Sequence, residues 1–187
     1  MASIFTLWLR EQLRLIKPIV SRASIETARQ AQDMAGELGS RMVASRVTVE
    51  EIAFDRFKAA VVIPNDCADS DHVILYLHGG GYVAGSLPYA LGFGSVLAVR
   101  TGLSTLCAAY RLAPEHPYPA AVEDACTAYK CLLVSGIAAE NITLFGESAG
   151  GGLAYALCLW LRERGIALPG RIVAISPWAD LTFSGKS

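Results

Sequence analysis

Apolar and polar positions change their period along the 187-residue chain, and the change divides it in two. From Ile4 to Ile16 the apolar residues at 4, 5, 8, 9, 13 and 16 fall on one helical face, and Pro18 ends that run. A second helix is expected from Ser24 to Leu38, with Gly39 and Ser40 as its stop. Residues 1–40 therefore read as a small helical unit, either an arm on the main domain or a lid.

From residue 41 onward the pattern becomes rich in β-branched residues. Val47–Phe54 and Phe57–Ile63 read as a hairpin around Asp55-Arg56. Strands and helices then alternate. Strands are expected at Val73–Leu77, Ser104–Ala109, Ile142–Phe145 and Ile172–Ile175, and helices near Tyr89–Arg100, Ala120–Val134 and Ala149–Arg164. This order predicts an α/β fold, a mostly parallel sheet flanked by helices and entered through an antiparallel hairpin.

Composition narrows the classes. Hydrophobic residues make up 53% of the chain and mean hydropathy is +0.39, as expected for strands buried on both faces. Arg10, Glu11 and Arg14 interrupt the N-terminal apolar stretch, so no transmembrane span is expected. That stretch also lacks a basic leader and a small-residue cleavage site, which points to a cytoplasmic protein with no membrane partner. The five cysteines form no CxxC pair and read as reduced and structural. Sixteen basic residues against seventeen acidic ones leave no basic stripe, so nucleic acid is not an expected partner. No metal-ligand spacing is present.

Chemistry concentrates in three segments. Gly146-Glu147-Ser148-Ala149-Gly150 fits G-x-S-x-G at a strand-to-helix junction, where a strained turn lifts the serine hydroxyl above the sheet. Ala149 then opens a helix whose N–H points toward an oxygen that becomes negative during attack on an ester. Upstream, His78-Gly79-Gly80-Gly81-Tyr82 follows a strand and offers bare N–H groups that suit an oxyanion hole. Gly79, Gly81 and Ala84 also satisfy a dinucleotide fingerprint, but no Asp or Glu occurs from His72 to Pro114 to hold a ribose. Gly185-Lys186-Ser187 is not a P-loop, because Asp180 stands where its first glycine belongs. His78 reads as structural: it precedes the serine and can pin loop carbonyls.

These segments, with Tyr110-Arg111-Leu112-Ala113-Pro114-Glu115-His116-Pro117 between them, resemble the bacterial hormone-sensitive-lipase-like esterases, often grouped as family IV. The resemblance extends through Ser176-Pro177-Trp178, and the two N-terminal helices are similar to that family's cap. It implies the α/β-hydrolase fold and cofactor-free hydrolysis of short-chain acyl esters through an acyl-enzyme. It makes Ser148 the nucleophile and places the oxyanion hole at the N–H groups of Gly79, Gly80, Gly81 and Ala149, with Gly80 and Gly81 favoured within the loop. Tyr82 and Glu147 are candidates for the substrate pocket, although Glu147 also reads as a packing or hydrogen-bonding residue. Arg111, Glu115 and Asp124 read as scaffold holding the loop after the Ser104–Ala109 strand.

In that family the catalytic acid follows the strand after Ser-Pro-Trp, and the histidine follows the strand after that. His72, His78 and His116 all precede Ser148, and Asp180 is the only aspartate after it. A serine hydroxyl without a base is a weak nucleophile, and losing the base costs on the order of a million-fold in turnover. Residues 41–187 are therefore expected to be the N-terminal part of a catalytic domain whose last strands lie elsewhere. The expected partners are an ester substrate and a complementing C-terminal segment or second chain, with a homo-oligomer possible. The alternative is a receptor-like binding protein, since plant gibberellin receptors resemble the same family without its histidine.

Overall fold

The computed structural model describes residues 24–67 and 70–182. The expected Ile4–Ile16 helix and the Gly185-Lys186-Ser187 stretch lie outside them. Six strands form one sheet: β1 (Val47–Ala53), β2 (Lys58–Pro64), β3 (Val73–Leu77), β4 (Ser104–Ala109), β5 (Ile142–Glu147) and β6 (Arg171–Ile175). Their order is β1-β2-β4-β3-β5-β6; β1 and β2 run antiparallel to their neighbours, and β4, β3, β5 and β6 are mutually parallel. Among the described residues the α-helices are α1 (Ile25–Val43), α2 (Leu87–Thr101), α3 (Ala120–Val134) and α4 (Ala149–Glu163).

Alternation of side chains along β3 shows why its sequence is continuously apolar. Ile74 and Tyr76 face a core with Ala90, Leu97 and Ala98 of α2. Leu75 and Leu77 face the opposite core, with Ala125 and Tyr129 of α3 and Leu153 and Leu157 of α4. A strand buried on both faces has no polar side to display. β6 differs because it is the sheet's outer strand. Val173 and Ile175 remain 41% and 47% exposed there, as the apolar edge expected from the sequence.

Most expected boundaries hold within two residues. β5 runs two residues beyond Phe145, because Gly146 and Glu147 stay in the ladder opposite Ala174 and Ile175 of β6. The expected stop at Gly39-Ser40 does not occur, and α1 continues to Val43 across the division drawn at residue 40. Those small residues serve contact instead. A Cβ at Gly36 would overlap the Pro88 carbonyl, one at Gly92 would overlap Gly36, and one at Gly39 would lie 3.2 Å from the Gly92 carbonyl. Ser40 Oγ, meanwhile, donates back to the Gly36 carbonyl at 3.0 Å. The glycines let α1 press its backbone onto α2.

This contact gives an outcome opposite to helix propensity. Alanine is favoured over glycine in a helix interior by about 1 kcal/mol. Gly36→Ala is nonetheless expected to lower unfolding stability by about 1–3 kcal/mol through overpacking against Pro88. Urea denaturation measures the sign, and a stabilised variant would rule out the close approach.

Candidate active site

The turn from β5 into α4 places Ser148 at φ 53°, ψ −121°, a conformation unusual for a residue with a side chain. Neighbouring backbone holds it there. Ser148 N–H donates to the Ile175 carbonyl at 2.9 Å, and the Ser148 carbonyl accepts from Trp178 N–H at 2.8 Å and Gly152 N–H at 3.1 Å. The flanking glycines are steric requirements. A Cβ at Gly146 would overlap the Gly150 carbonyl, and one at Gly150 would overlap the Leu77 carbonyl. Ala149 is the first residue of α4, so its N–H has no acceptor within the helix.

The glycine loop lies against this turn, since a Cβ on Gly79 would come within 3.3 Å of Ser148 Cβ. Its backbone polar groups can be accounted for one by one. Gly79 N–H donates to Glu147 Oε1 at 2.6 Å. The Gly79 carbonyl lies 2.7 Å from His78 Nδ1, which must carry the proton. The Gly80 carbonyl accepts from Val83 and Ala84 N–H at 3.1 and 3.0 Å, and the Tyr82 carbonyl accepts from Ala113 N–H at 2.8 Å. The Val83 carbonyl accepts from Arg29 Nε at 2.8 Å. Among the described residues, the N–H groups of Gly80 and Gly81 meet no acceptor. Both residues have positive φ, 114° and 63°, which leaves the loop free to turn these donors outward.

This geometry decides two expectations. Gly79 does not offer an oxyanion donor, because its N–H is occupied by the Glu147 carboxyl. Glu147 follows its hydrogen-bonding reading over the pocket one: its side chain is turned under the loop, where Oε1 also accepts from Tyr76 at 3.0 Å and Tyr89 at 3.4 Å. Burial raises the Glu147 pKa above the usual carboxylate value, against the lowering effect of these donors. Burial likewise lifts the Tyr76 phenol far up and the Tyr89 phenol to about 12, so both remain donors. The role of Tyr76 and Tyr89 is hidden in the sequence, where both look like apolar core.

His78 is fully buried, stacked on Tyr110 with ring centroids 4.3 Å apart and edge-on to Tyr89. Burial lowers its pKa to about 4, so the ring is neutral and holds the loop rather than accepting a proton. Asp180 Oδ1 accepts from Thr182 N–H at 2.8 Å and Thr182 Oγ1 at 2.6 Å. Among the described residues, no side chain hydrogen-bonds Ser148 Oγ.

The intervening segment is scaffold, with one change of partner. Arg111 grips Asp124 through Nε at 2.9 Å and Nη2 at 2.8 Å, and Asp124 is 2% exposed. Glu115 instead pairs with Arg29 of α1, at 2.8 and 2.7 Å, and that hydrogen bonding holds its pKa down to about 2. Tyr82 lines an apolar cavity of about 270 Å³ with Leu153, Ala156, Val122, Tyr118 and Leu181. These wall residues come from four separate segments, and the sequence gives no sign of their meeting. Among the described residues no His/Cys/Asp/Glu cluster could hold a metal ion, and no helix is long and apolar enough to cross a membrane.

A six-stranded sheet with helices on both faces, a strained serine between strand and helix, and a glycine loop after a neighbouring parallel strand define an α/β-hydrolase. A family described as alpha/beta hydrolase fold matches residues 74–187. The chain belongs to that family. An acetyl-hydrolase of Streptomyces hygroscopicus is 41% identical over 159 residues, covering 75% of this chain and 53% of its own. Esterase LipI of Mycobacterium tuberculosis is 32% identical over 164 residues, covering 82% and 51%. A crystal structure of an esterase from the bacterial hormone-sensitive lipase family matches with a TM-score of 0.80 and 34% identity, over 100% of this chain and 62% of that one. An esterase/lipase from an uncultured bacterium matches with a TM-score of 0.78 and 33% identity, over 93% and 60%. The chain spans about half the length of the curated relatives it matches.

Two outcomes follow from the buried polar groups. The unfolded chain protonates His78 below about pH 6.5, whereas the folded chain resists until about pH 4. Stability is therefore expected to fall as pH drops across that window, by roughly 3 kcal/mol from this residue. Urea titrations of the wild type and His78→Asn at pH 7 and 4.5 would show a flatter dependence in the variant. Replacing Glu147 with alanine strands the Gly79, Tyr76 and Tyr89 donors and is expected to cost about 1–3 kcal/mol. Glu147→Gln keeps an acceptor oxygen and is expected to lose less in the same measurement.

Proposed function

We propose that this chain carries the nucleophile and oxyanion hole of a serine carboxylesterase acting on short-chain acyl esters. The observation that supports it most is that, among the described residues, the N–H groups of Gly80 and Gly81 meet no acceptor beside the strained Ser148. Ser148 Oγ attacks the ester carbonyl as a base removes its proton. The tetrahedral oxyanion is held by Gly80, Gly81 and Ala149 N–H, and preorganised donors of this kind contribute about 10²–10³ each in rate. Collapse breaks the bond to the alcohol, which leaves with the base's proton. Water then hydrolyses the acyl-serine by the same route in reverse, with no cofactor involved. Relatives named acetyl-hydrolase and esterase support the reaction class and a small acyl group.

The proton acceptor is assigned to a histidine oriented by an aspartate, from a complementing C-terminal segment or a second chain. The half-exposed Val173 and Ile175 on β6 support this, because further parallel strands would cover them. One observation favours a second reading, a receptor-like binding protein: Ser148 Oγ has no hydrogen-bonded base among the described residues, while an apolar cavity of about 270 Å³ stands nearby.

Fluorophosphonate labelling and p-nitrophenyl butanoate turnover, each with and without the complementing segment, separate the two. Labelling confined to Ser148, strongly enhanced by the segment and lost in Ser148→Ala, is the expected result. An unlabelled Ser148 in the completed assembly would exclude the esterase and leave the binding protein.

A further inference from the structure

The loop that presents Gly80 and Gly81 is held from below by groups of the sheet, namely Glu147 and His78. From above it is held by the first helix. Arg29, Gln32, Asp33 and Gly36 occupy successive turns of α1 at the spacing of one helical face. All four meet residues 80–88. Gly36 packs on Pro88, Asp33 accepts from Ser86 Oγ, and Gln32 Oε1 lies 3.0 Å from where a Cβ of Gly80 would stand.

Arg29 does more than touch the loop. Its Nε donates to the Val83 carbonyl at 2.8 Å, its Nη2 donates to the Ala113 carbonyl at 3.1 Å, and both Nη groups engage Glu115 at 2.8 and 2.7 Å. Ala113 in turn donates its own N–H to the Tyr82 carbonyl. One guanidinium thus ties the oxyanion loop to the Ala113–Glu115 segment at adjacent points. The planar fork is needed for this, because an ammonium carries its donors on a single nitrogen and cannot reach the Val83 carbonyl, the Ala113 carbonyl and both Glu115 oxygens together. Its side chain is 31% exposed, so the tie closes near the surface rather than inside the core.

We propose that Arg29 is a positioning residue for acyl transfer: through it the N-terminal helix sets the backbone that aims Gly80 and Gly81 at the oxyanion. The inference rests on the esterase reading for its catalytic consequence, and on the geometry of this chain for the tie itself. The helix is then a working support of the oxyanion hole as well as a cover.

Two measurements test it. In Arg29→Ala, amide hydrogen exchange at Val83, Ala84 and Ala113 is expected to quicken by about tenfold or more while the β5 amides keep their protection. Arg29→Lys is expected to behave like alanine, and Glu115→Gln, which spares the two carbonyl contacts, to show a smaller change. In the enzyme completed by its C-terminal segment, Arg29→Ala is expected to lower kcat about tenfold with KM nearly unchanged, as for a misaimed transition-state donor. Unchanged exchange at the three amides overturns the tie, and faster exchange with unchanged kcat reduces Arg29 to a structural residue. Absence of turnover in the wild type sinks the esterase reading separately, and the exchange result still decides whether Arg29 holds the loop.

Discussion

Two backbone segments approach so closely around Ser148 that side chains are excluded between them. Gly150 stands against the Leu77 and His78 carbonyls, Gly146 against Gly150, and Gly79 against Glu147 and Ser148. This contact joins the end of β3 to the start of α4 and leaves the serine in its left-handed conformation. A single Cβ at Gly150 would push the serine turn off the Leu77 and His78 carbonyls, and one at Gly146 would open the turn itself. Everything that makes the site chemical, including the free Ala149 N–H and the turned-out donors of Gly80 and Gly81, depends on that approach.

Around it most backbone polar groups of the glycine loop have partners. Gly79 N–H is taken by Glu147, and the carbonyls of Gly79, Gly80, Tyr82 and Val83 are each taken by a different partner. Buried amides normally find acceptors, yet among the described residues the N–H groups of Gly80, Gly81 and Ala149 meet none. Burial of Tyr76 and His78 also keeps their protonation states constant near neutral pH.

The helical N-terminal segment has a double relation to this site. Gly36 and Gly39 give α1 a close seat on α2, and Arg29 carries that seat across to the loop. A helix that looks peripheral in the sequence is thus mechanically continuous with the oxyanion donors. The apolar outer strand β6 is connected to the same centre, through the Ile175 carbonyl and the Trp178 N–H that hold Ser148.

The pattern of residues alone determined the order of the described elements, the parallel sheet and both motif-bearing turns. Those features are local: period-two apolar runs, strand-to-helix junctions and glycine triplets act on neighbours in the chain. The extension of α1 through Gly39 was not legible, because whether a glycine ends a helix or seats it depends on what packs against it. Glu147 read as a hydrogen-bonding residue beside a possible pocket role, but its partners, the Gly79 N–H and two tyrosines, come from distant segments that no local pattern joins to it. Arg29 and Glu115 are 86 residues apart, and no period or motif links them. Only the folded chain, by bringing distant backbone groups to one surface, decided which N–H groups are spent and which remain for an anion.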